Sequence, residues 1–207
     1  MTCIVGIAFD GRVMLGADSA GVGGYDLRIR ADRKVFKNGE LIFGFTSSFR
    51  MGQLLQYELT PPPIIEKQEP YEYAVKALVP AIRTTLRNGG YMHTQNGREE
   101  GGTFLVGFRG HLFSVYDDFQ VSESTEPFEA CGCGVSYAMG AMYEAHKRQP
   151  PASSPGVWTV GSAEMAEIRR DFFKSVLTAG LEAASRFSAG VAPPFNFVEI
   201  GGENSNG

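Results

Sequence analysis

The sequence predicts an α+β fold, in which antiparallel sheets are covered on their outer faces by pairs of helices. Three observations support this prediction. Tight-turn dipeptides separate apolar, β-branched runs, two pairs of segments carry helical signals, and the elements follow the order strands, two helices, strands, two helices, strand. Strands and helices segregated in this way are typical of antiparallel sheets packed against helices.

The first 46 residues predict four strands joined by two tight turns. Asp10-Gly11 and Asn38-Gly39 each separate two apolar runs. Such dipeptides are the strongest short hairpin signal, because both turn residues take positive φ. Two hairpins in so short a stretch imply antiparallel sheet. The predicted strands are residues 2–9, 12–17, 34–37 and 40–46.

Apolar residues then recur at helical spacing in two segments. The first predicted helix covers residues 49–59 and ends before Pro61-Pro62-Pro63, since proline cannot continue a helix. The second covers residues 74–86, where an apolar residue recurs at every fourth position, and it ends at Gly89-Gly90. Pro80 lies inside this second segment and predicts a kink.

The C-terminal half predicts a polar loop at 91–101, a third hairpin around Arg109-Gly110, two more helices and a last strand. The strands are residues 103–108, 111–116, 128–131 and 195–200, and the helices are residues 135–147 and 168–184, with a Pro- and Ser-rich loop at 148–156. We expect a single domain over residues 1–200, followed by a flexible tail at 201–207.

Composition excludes several classes of protein. The chain has 207 residues, of which 43% are apolar, so it can build a core and is not intrinsically disordered. A net charge of −4 provides no electrostatic footprint for nucleic acid. No apolar run approaches the length of a membrane span, and Asp10 interrupts the N-terminal apolar stretch too early for a signal peptide. The three cysteines are too few for a disulfide framework, which favours the cytoplasm.

Thr2 is a candidate nucleophile. If Met1 were removed, Thr2 would carry both a hydroxyl and a free α-amine. A threonine hydroxyl is a weak nucleophile without an adjacent base, and an α-amine with a pKa of about 7.7–8.0 can act as that base. Many proteins also begin with Met-Thr without any such chemistry, so Thr2 alone does not decide the function.

Asp18 and Lys34 are the residues that strengthen this hypothesis. Asp18 ends the second predicted strand in GADSAG, and Lys34 opens the third in ADRKVF. Because the start of one antiparallel strand can lie beside the end of its neighbour, both can approach Thr2. A buried lysine would stabilise a threonine alkoxide, and the aspartate would keep the lysine charged. The alternative is that Lys34 is one more solvated cation in an arginine-rich stretch.

These motifs resemble those of proteasome β-subunits and the related bacterial threonine peptidases. The resemblance rests on Thr2 followed by GIAFDGRVMLGADS, then Lys34-Val35, GFTSS and GCGVSYAMG. The spacing from Thr2 to Asp18 and to Lys34 matches the family's catalytic spacing without a gap. The resemblance extends to about residue 200 and implies a four-layer αββα sandwich of two antiparallel sheets flanked by helix pairs, which the predicted element order fits.

The resemblance also implies roles for individual residues. Thr2 would be the nucleophile, Lys34 would lower the pKa of its hydroxyl, and Asp18 would pair with Lys34. In the turn GFTSS, the backbone N–H of Ser47 would face the oxyanion, and Phe45 would line the pocket for the side chain before the scissile bond. The segment of Ala20, Gly21 and Val22 would pair with an extended peptide by strand addition.

Two departures from the family pattern concern the N-terminal amine. Cys133 stands where the family has a serine, and Ser185 stands where it usually has an aspartate, whereas Ser188 fits a retained serine. A thiol is a poorer hydrogen-bond partner than a hydroxyl, and the lost carboxylate removes a negative charge from beside the amine. We therefore expect hydrolysis to be slow, narrow in substrate or absent.

The resemblance implies a threonine endopeptidase that acts on peptides or unfolded proteins, forms a homo-oligomeric ring and works with an ATPase unfoldase. It implies no cofactor and no metal. Two alternatives stay open on the same fold: a non-hydrolytic, ring-forming scaffold or binding protein, and a hydrolase of small amides. A Cys131–Cys133 metal site lacks further ligands at characteristic spacing, and none of the three histidines is placed for a serine triad.

Overall fold

The computed structural model describes residues 1–95, 97–148 and 163–201. Most of the predicted loop at 148–156 and of the predicted tail at 201–207 lies outside the described residues. Among the described residues, no helix has the length and apolar character that crossing a membrane requires.

Thirteen strands and five helices form the described part of the chain. The strands are β1 (Cys3–Phe9), β2 (Arg12–Ala17), β3 (Ala20–Gly23), β4 (Asp26–Ile29), β5 (Val35–Asn38), β6 (Leu41–Phe45), β7 (His93–Gln95), β8 (Arg98–Glu100), β9 (Phe104–Phe108), β10 (His111–Val115), β11 (Val121–Glu123), β12 (Phe128–Gly132) and β13 (Asn196–Ile200). The helices are α1 (Phe49–Gln53), α2 (Pro70–Tyr73), α3 (Val79–Asn88), α4 (Val135–His146) and α5 (Ala163–Phe187). Two π-helical segments extend α1 and join α2 to α3, over Leu54–Glu58 and Ala74–Leu78.

The strands form two larger antiparallel sheets. The first has the order β12-β1-β2-β13 and the second has the order β11-β10-β9-β6-β5, while β3-β4 and β7-β8 are separate hairpins. The predicted α+β class with antiparallel sheets is therefore confirmed. The three predicted hairpins form, although the first lies in the four-stranded sheet and the other two lie in the five-stranded sheet.

The second hairpin turns one residue later than predicted. Asn38 still pairs with Leu41, so Gly39 and Glu40 are the two turn residues. Gly39 has a φ of +60°, which places the positive φ at the first turn position, where glycine is favoured.

Two short hairpins were not predicted from the sequence. Residues 91–101, predicted as a loop, contain β7 and β8, and the segment after β2 contains β3 and β4. All four residues of β4 are exposed, so its polar and apolar residues alternate without forming a buried face.

The helices agree with the sequence in position and differ in detail. The segment Ala74–Leu78 is π-helical and lies immediately before the turn that contains Pro80. A wider turn is a common form of local adjustment next to a residue that cannot donate a backbone hydrogen bond. Helix α5 begins five residues before and ends three residues after its predicted bounds of 168 and 184.

Three apolar clusters account for the burial of both sheets. Helices α4 and α5 pack on one face of the four-stranded sheet, where Val5 and Ile7 contact α5 residues such as Leu177. A second cluster joins the two sheets to each other and includes Ile4 and Leu105. A third lies between the five-stranded sheet and α1, α2 and α3. Strand β1 is therefore apolar on both faces because both are covered.

Candidate functional site

Thr2, Asp18 and Lys34 lie in one buried region, each next to the end of a strand. Thr2 precedes β1, Asp18 follows β2, and Lys34 precedes β5 in the other sheet. The antiparallel register pairs Ile4 with Ala17, so the start of β1 lies beside the end of β2. The exposed fractions are 6% for Thr2, 0% for Asp18 and 1% for Lys34.

The Asp18 carboxylate accepts hydrogen bonds from four donors. Its Oδ1 accepts from the Lys34 ammonium at 2.8 Å and from the Cys3 backbone N–H at 2.9 Å. Its Oδ2 accepts from the N–H of Ala20 at 2.8 Å and of Ala192 at 3.4 Å. A buried carboxylate is stable when several donors and a cation replace its water, and Asp18 meets this requirement.

Lys34 is a buried cation in an ion pair. Burial lowers the pKa of its ammonium below the ordinary value of 10.5, and the charge of Asp18 opposes this shift. The ring of Phe49 lies 5.8 Å from Nζ, which adds a weak cation–π contact. The interpretation of Lys34 as a solvated surface cation is wrong, because its side chain is enclosed.

Cys133 and Ser188 form a short hydrogen-bonded chain that ends at Thr2. The Thr2 N–H donates to Cys133 Sγ at 3.2 Å, and the thiol donates to the Thr2 carbonyl oxygen at 3.3 Å. The Ser188 hydroxyl donates to Cys133 Sγ at 3.2 Å. With Met1 attached, the Thr2 hydroxyl donates to the Met1 carbonyl oxygen at 2.6 Å.

Gly132 allows Cys133 to approach Thr2 so closely. Strand β12 pairs with β1, and Gly132 lies opposite Cys3 with a φ of +100°. A Cβ atom at this position would lie 2.2 Å from the Thr2 carbonyl oxygen, a distance that no side chain can adopt. Glycine is therefore required there by both the backbone conformation and the close contact.

Ser47 lies in a tight turn after β6. Its φ is +62°, and the next N–H, that of Ser48, donates to the Thr46 carbonyl at 2.6 Å. The Ser47 hydroxyl oxygen accepts from the Thr103 N–H at 3.1 Å. Among the residues that the structure describes, the Ser47 N–H has no acceptor, while the Ser48 N–H is occupied. Ser47 is thus the available backbone donor in this turn.

The left-handed conformation of Ser47 has a measurable cost. We expect Ser47→Gly to be more stable than Ser47→Ala by about 1 kcal/mol, because glycine adopts positive φ without a Cβ clash. Both variants lose the hydroxyl that accepts from Thr103, so their difference isolates the backbone term. Urea unfolding of the two variants measures it, and an alanine variant as stable as the glycine variant would show that the turn is unstrained.

A cavity of about 340 Å³ lies beside the β3-β4 hairpin. Gly21 and Val22 line it, whereas Ala20 is fully buried next to Asp18. Within the described residues, β3 pairs only with β4, so its second edge has no strand partner.

The aromatic residue at this cavity is Phe49 and not Phe45. The ring of Phe45 is only 5% exposed and packs against Phe36 and Phe49 in the core under α1. Arg28 and Arg30 also line the cavity, and neither was predicted to belong to the site. The signal that could have revealed them is their alternate spacing, since Arg28 lies in β4 and Arg30 follows its last residue.

The chain resembles known proteins in its structure. No family model matches it, and no curated protein matches it. Solved structures do match. Thiobacillus denitrificans BPH in complex with epoxomicin has a TM-score of 0.67 and 21% identity, over 96% of this chain and 98% of that one.

Two further structures match over 96% of this chain. HslV from Trypanosoma brucei has a TM-score of 0.59 and 14% identity, with 99% of that chain covered. Anbu from Yersinia bercovieri has a TM-score of 0.59 and 16% identity, with 81% of that chain covered. The chain has a proteasome-like fold. At these identities the likeness concerns the fold alone.

Within this proteasome-like fold, Ser185 does not join the group around Thr2. Its hydroxyl donates to the Glu182 carbonyl oxygen of its own helix at 2.9 Å. Ser188, which follows the last residue of α5, is the residue that contacts Cys133. The Thr2 nitrogen thus contacts a thiol that in turn accepts from a hydroxyl, and Ser185 supplies no carboxylate.

The other two cysteines are buried. Burial, followed by the charge of Asp18, raises the pKa of the Cys3 thiol to about 12, so Cys3 is a poor nucleophile. Burial also raises the pKa of Cys131. In the described part of the chain, no group of three or more His, Cys, Asp or Glu side chains could hold a metal ion.

Proposed function

We propose that this chain is a threonine-type peptidase subunit that hydrolyses peptide bonds by acyl transfer through Thr2. The observation that supports it best is the burial of Thr2 beside the Lys34–Asp18 ion pair, with Cys133 on the Thr2 nitrogen. A core rarely holds a charged pair of this kind, and such pairs are typical of functional sites. The resemblance assigns catalytic roles to the same residues.

The proposed reaction begins once the peptide bond between Met1 and Thr2 has been cleaved. The free α-amine accepts the proton of the Thr2 hydroxyl, and Oγ attacks the carbonyl carbon of the substrate. The oxyanion accepts a hydrogen bond from the Ser47 N–H, a contact worth roughly 3–4 kcal/mol in the transition state. The C–N bond breaks as the leaving amine takes the proton, and water then hydrolyses the ester.

Lys34 contributes electrostatically in this proposal. An ammonium in a water-poor site stabilises the developing charge on Oγ more strongly than it would in solvent. Asp18 keeps that ammonium protonated and oriented, although burial lowers its pKa. Asp18 is therefore a positioning residue, whereas Lys34 acts on the reacting atom.

The state of the N-terminus provides the test of this function. With Met1 attached, the Thr2 nitrogen is an amide and cannot act as a base, so we expect no hydrolysis. Intact mass spectrometry beside a fluorogenic-peptide assay measures both properties on the same sample. Full activity of a preparation that retains Met1 would refute the mechanism. Epoxomicin, which BPH binds, is expected to raise the melting temperature of the processed chain only.

Replacing Cys133 with serine is expected to increase the hydrolysis rate about three- to tenfold. A hydroxyl forms stronger hydrogen bonds than a thiol with the Thr2 amine and with Ser188, by roughly 1 kcal/mol. Initial rates of the processed proteins give the comparison, with Ser188→Ala as a variant expected to lower the rate. A Cys133→Ser rate at or below that of the original chain would show that the thiol does not limit catalysis.

We infer further that the elements stack as four layers, with a helix layer outside each sheet, since three apolar clusters separate them.

We also propose a homo-oligomeric ring. Exposed aromatic residues on the α4–α5 layer support it, among them Tyr143 and the adjoining rings of Tyr137 and Phe187. Native mass spectrometry tests the ring. An ATPase unfoldase partner and a cytoplasmic location stay predictions.

A non-hydrolytic binding protein on the same fold is the second candidate. Two contacts favour it. The Thr2 nitrogen lies beside a thiol, and the Ser185 hydroxyl bonds to the Glu182 carbonyl of its own helix, so a free amine would have weaker hydrogen-bond partners. A covalent threonine-directed inhibitor separates the two functions. The peptidase forms a mass adduct at Thr2, and the binding protein does not.

A further inference from the structure

The cavity beside the β3-β4 hairpin is lined by two arginines. Arg28 and Arg30 lie at alternate positions at the end of β4, and the other charged residue of the lining is Asp26. The cavity holds about 340 Å³ and opens next to the unpaired edge of β3. Its size fits one extended side chain of a peptide that runs along this edge.

Arg30 is held in place from three sides. Its side chain crosses the face of Gly21, where an added Cβ would lie 2.6 Å from Arg30 Cδ. Its guanidinium lies over the Phe49 ring, 3.8 Å from the centroid, and it donates two hydrogen bonds to Asp32 at 2.8 and 2.7 Å. A glycine in β3 thus leaves room for a fixed cation at the cavity wall.

Arg28 is the cation that remains open to a ligand. It pairs with Gly21 in the backbone ladder, and its side chain is exposed. Among the described residues, no carboxylate lies within ion-pair distance of Arg28, whereas Arg30 is paired with Asp32. Arginine presents several donors in a planar fork, which suits a carboxylate better than any neutral side chain.

The cavity adjoins the proposed reaction centre. Phe49 forms part of its wall, and the same ring lies 5.8 Å from Nζ of Lys34, which is bonded to Asp18. The Phe49 ring therefore lies between the cavity and the Lys34–Asp18 pair. A peptide that runs along β3 with one side chain in the cavity would pass beside the proposed reaction centre, and its path defines the groove.

We propose that this cavity selects an acidic side chain, aspartate or glutamate, of a peptide bound along β3, and that Arg28 and Arg30 are the residues that determine this specificity. The inference rests on the proposed function, since it assumes a peptide in this groove. Because the arginines are partly exposed, water and salt weaken the interaction, and we expect a preference of about tenfold over the uncharged amide.

The test measures binding without turnover. Two fluorescent peptides that differ only by Glu or Gln at one position are titrated into the full chain carrying Thr2→Ala. We expect about tenfold tighter binding of the Glu peptide, a preference that falls at 0.5 M salt, nearly disappears in Arg28→Ala and decreases in Arg30→Ala. Arg33→Ala is the matched control, because Arg33 is exposed, lies outside the cavity and loses the same charge.

The outcomes separate this inference from the proposed function. Equal affinity for both peptides, or a Glu preference that survives in Arg28→Ala, overturns the assignment even if the processed chain hydrolyses peptides. A Glu preference that depends on Arg28 supports it even if no hydrolysis is found, in which case the peptidase function fails alone. The pair is repeated with Glu or Gln at each peptide position in turn, and equal affinity at every position also overturns the assignment.

Discussion

Replacing Thr2 with alanine is expected to reduce peptide hydrolysis about a thousandfold or more. In the proposed mechanism one residue supplies both the nucleophile and, through its α-amine, the base. Alanine retains the amine and removes the hydroxyl, so no acyl intermediate can form. The side chain is small, and among the described residues its hydroxyl bonds only to Met1, which processing removes, so we expect the variant to fold normally.

The measurement compares initial rates of the processed original chain, Thr2→Ala and Thr2→Ser on a broad fluorogenic-peptide library. Thr2→Ser is the matched control, because it retains the hydroxyl and the amine and is expected to stay active. Intact mass spectrometry must show that Met1 is absent from all three. Equal rates for the original chain and Thr2→Ala would exclude Thr2 as the nucleophile and favour the non-hydrolytic alternative.

Replacing Lys34 with methionine is expected to lower the free energy of unfolding by about 3–5 kcal/mol and to abolish hydrolysis. Methionine is similar in length and apolar, so it fills the same space. It leaves the Asp18 carboxylate, which is 0% exposed, without its cation. Removing one partner of a buried ion pair is strongly destabilising for this reason.

The double variant Asp18→Asn/Lys34→Met distinguishes the lost ion pair from a packing defect. An asparagine carbonyl can still accept from the N–H groups of Cys3 or Ala20, and no buried charge remains. We expect it to recover at least half of the stability lost in Lys34→Met, as measured by urea unfolding, while hydrolysis stays absent. A double variant no more stable than Lys34→Met would contradict the ion-pair explanation.

Local signals in the sequence predicted most of the secondary structure. Asp10-Gly11 and Arg109-Gly110 lie at the turns where they were expected, and both pairs have positive φ. Helix α3 was predictable because its apolar residues recur at helical spacing and form a buried face. Helix α4 was predictable because it is a run of mostly small and apolar residues. The β3-β4 hairpin was missed because it is short, largely exposed and outside both larger sheets.

The sequence could predict only those neighbours in the candidate site that the register of a single hairpin brings together. Thr2 and Asp18 are joined through the β1-β2 hairpin, so the turn at Asp10-Gly11 alone places them side by side. Lys34 comes from the other sheet, and its position depends on how the two sheets pack. No local signal carries that information, and the resemblance to a family supplied it.

The sequence by itself determined the α+β class, the three main hairpins and the types of residue available for chemistry near the N-terminus. These properties depend on turn geometry and periodicity over a few residues, which neighbouring residues encode. Only the tertiary structure decided that Lys34 is enclosed, that Phe49 and not Phe45 lines the cavity, and that Arg30 crosses Gly21. Each depends on atoms far apart in the chain, whose distances are set when sheets and helices pack.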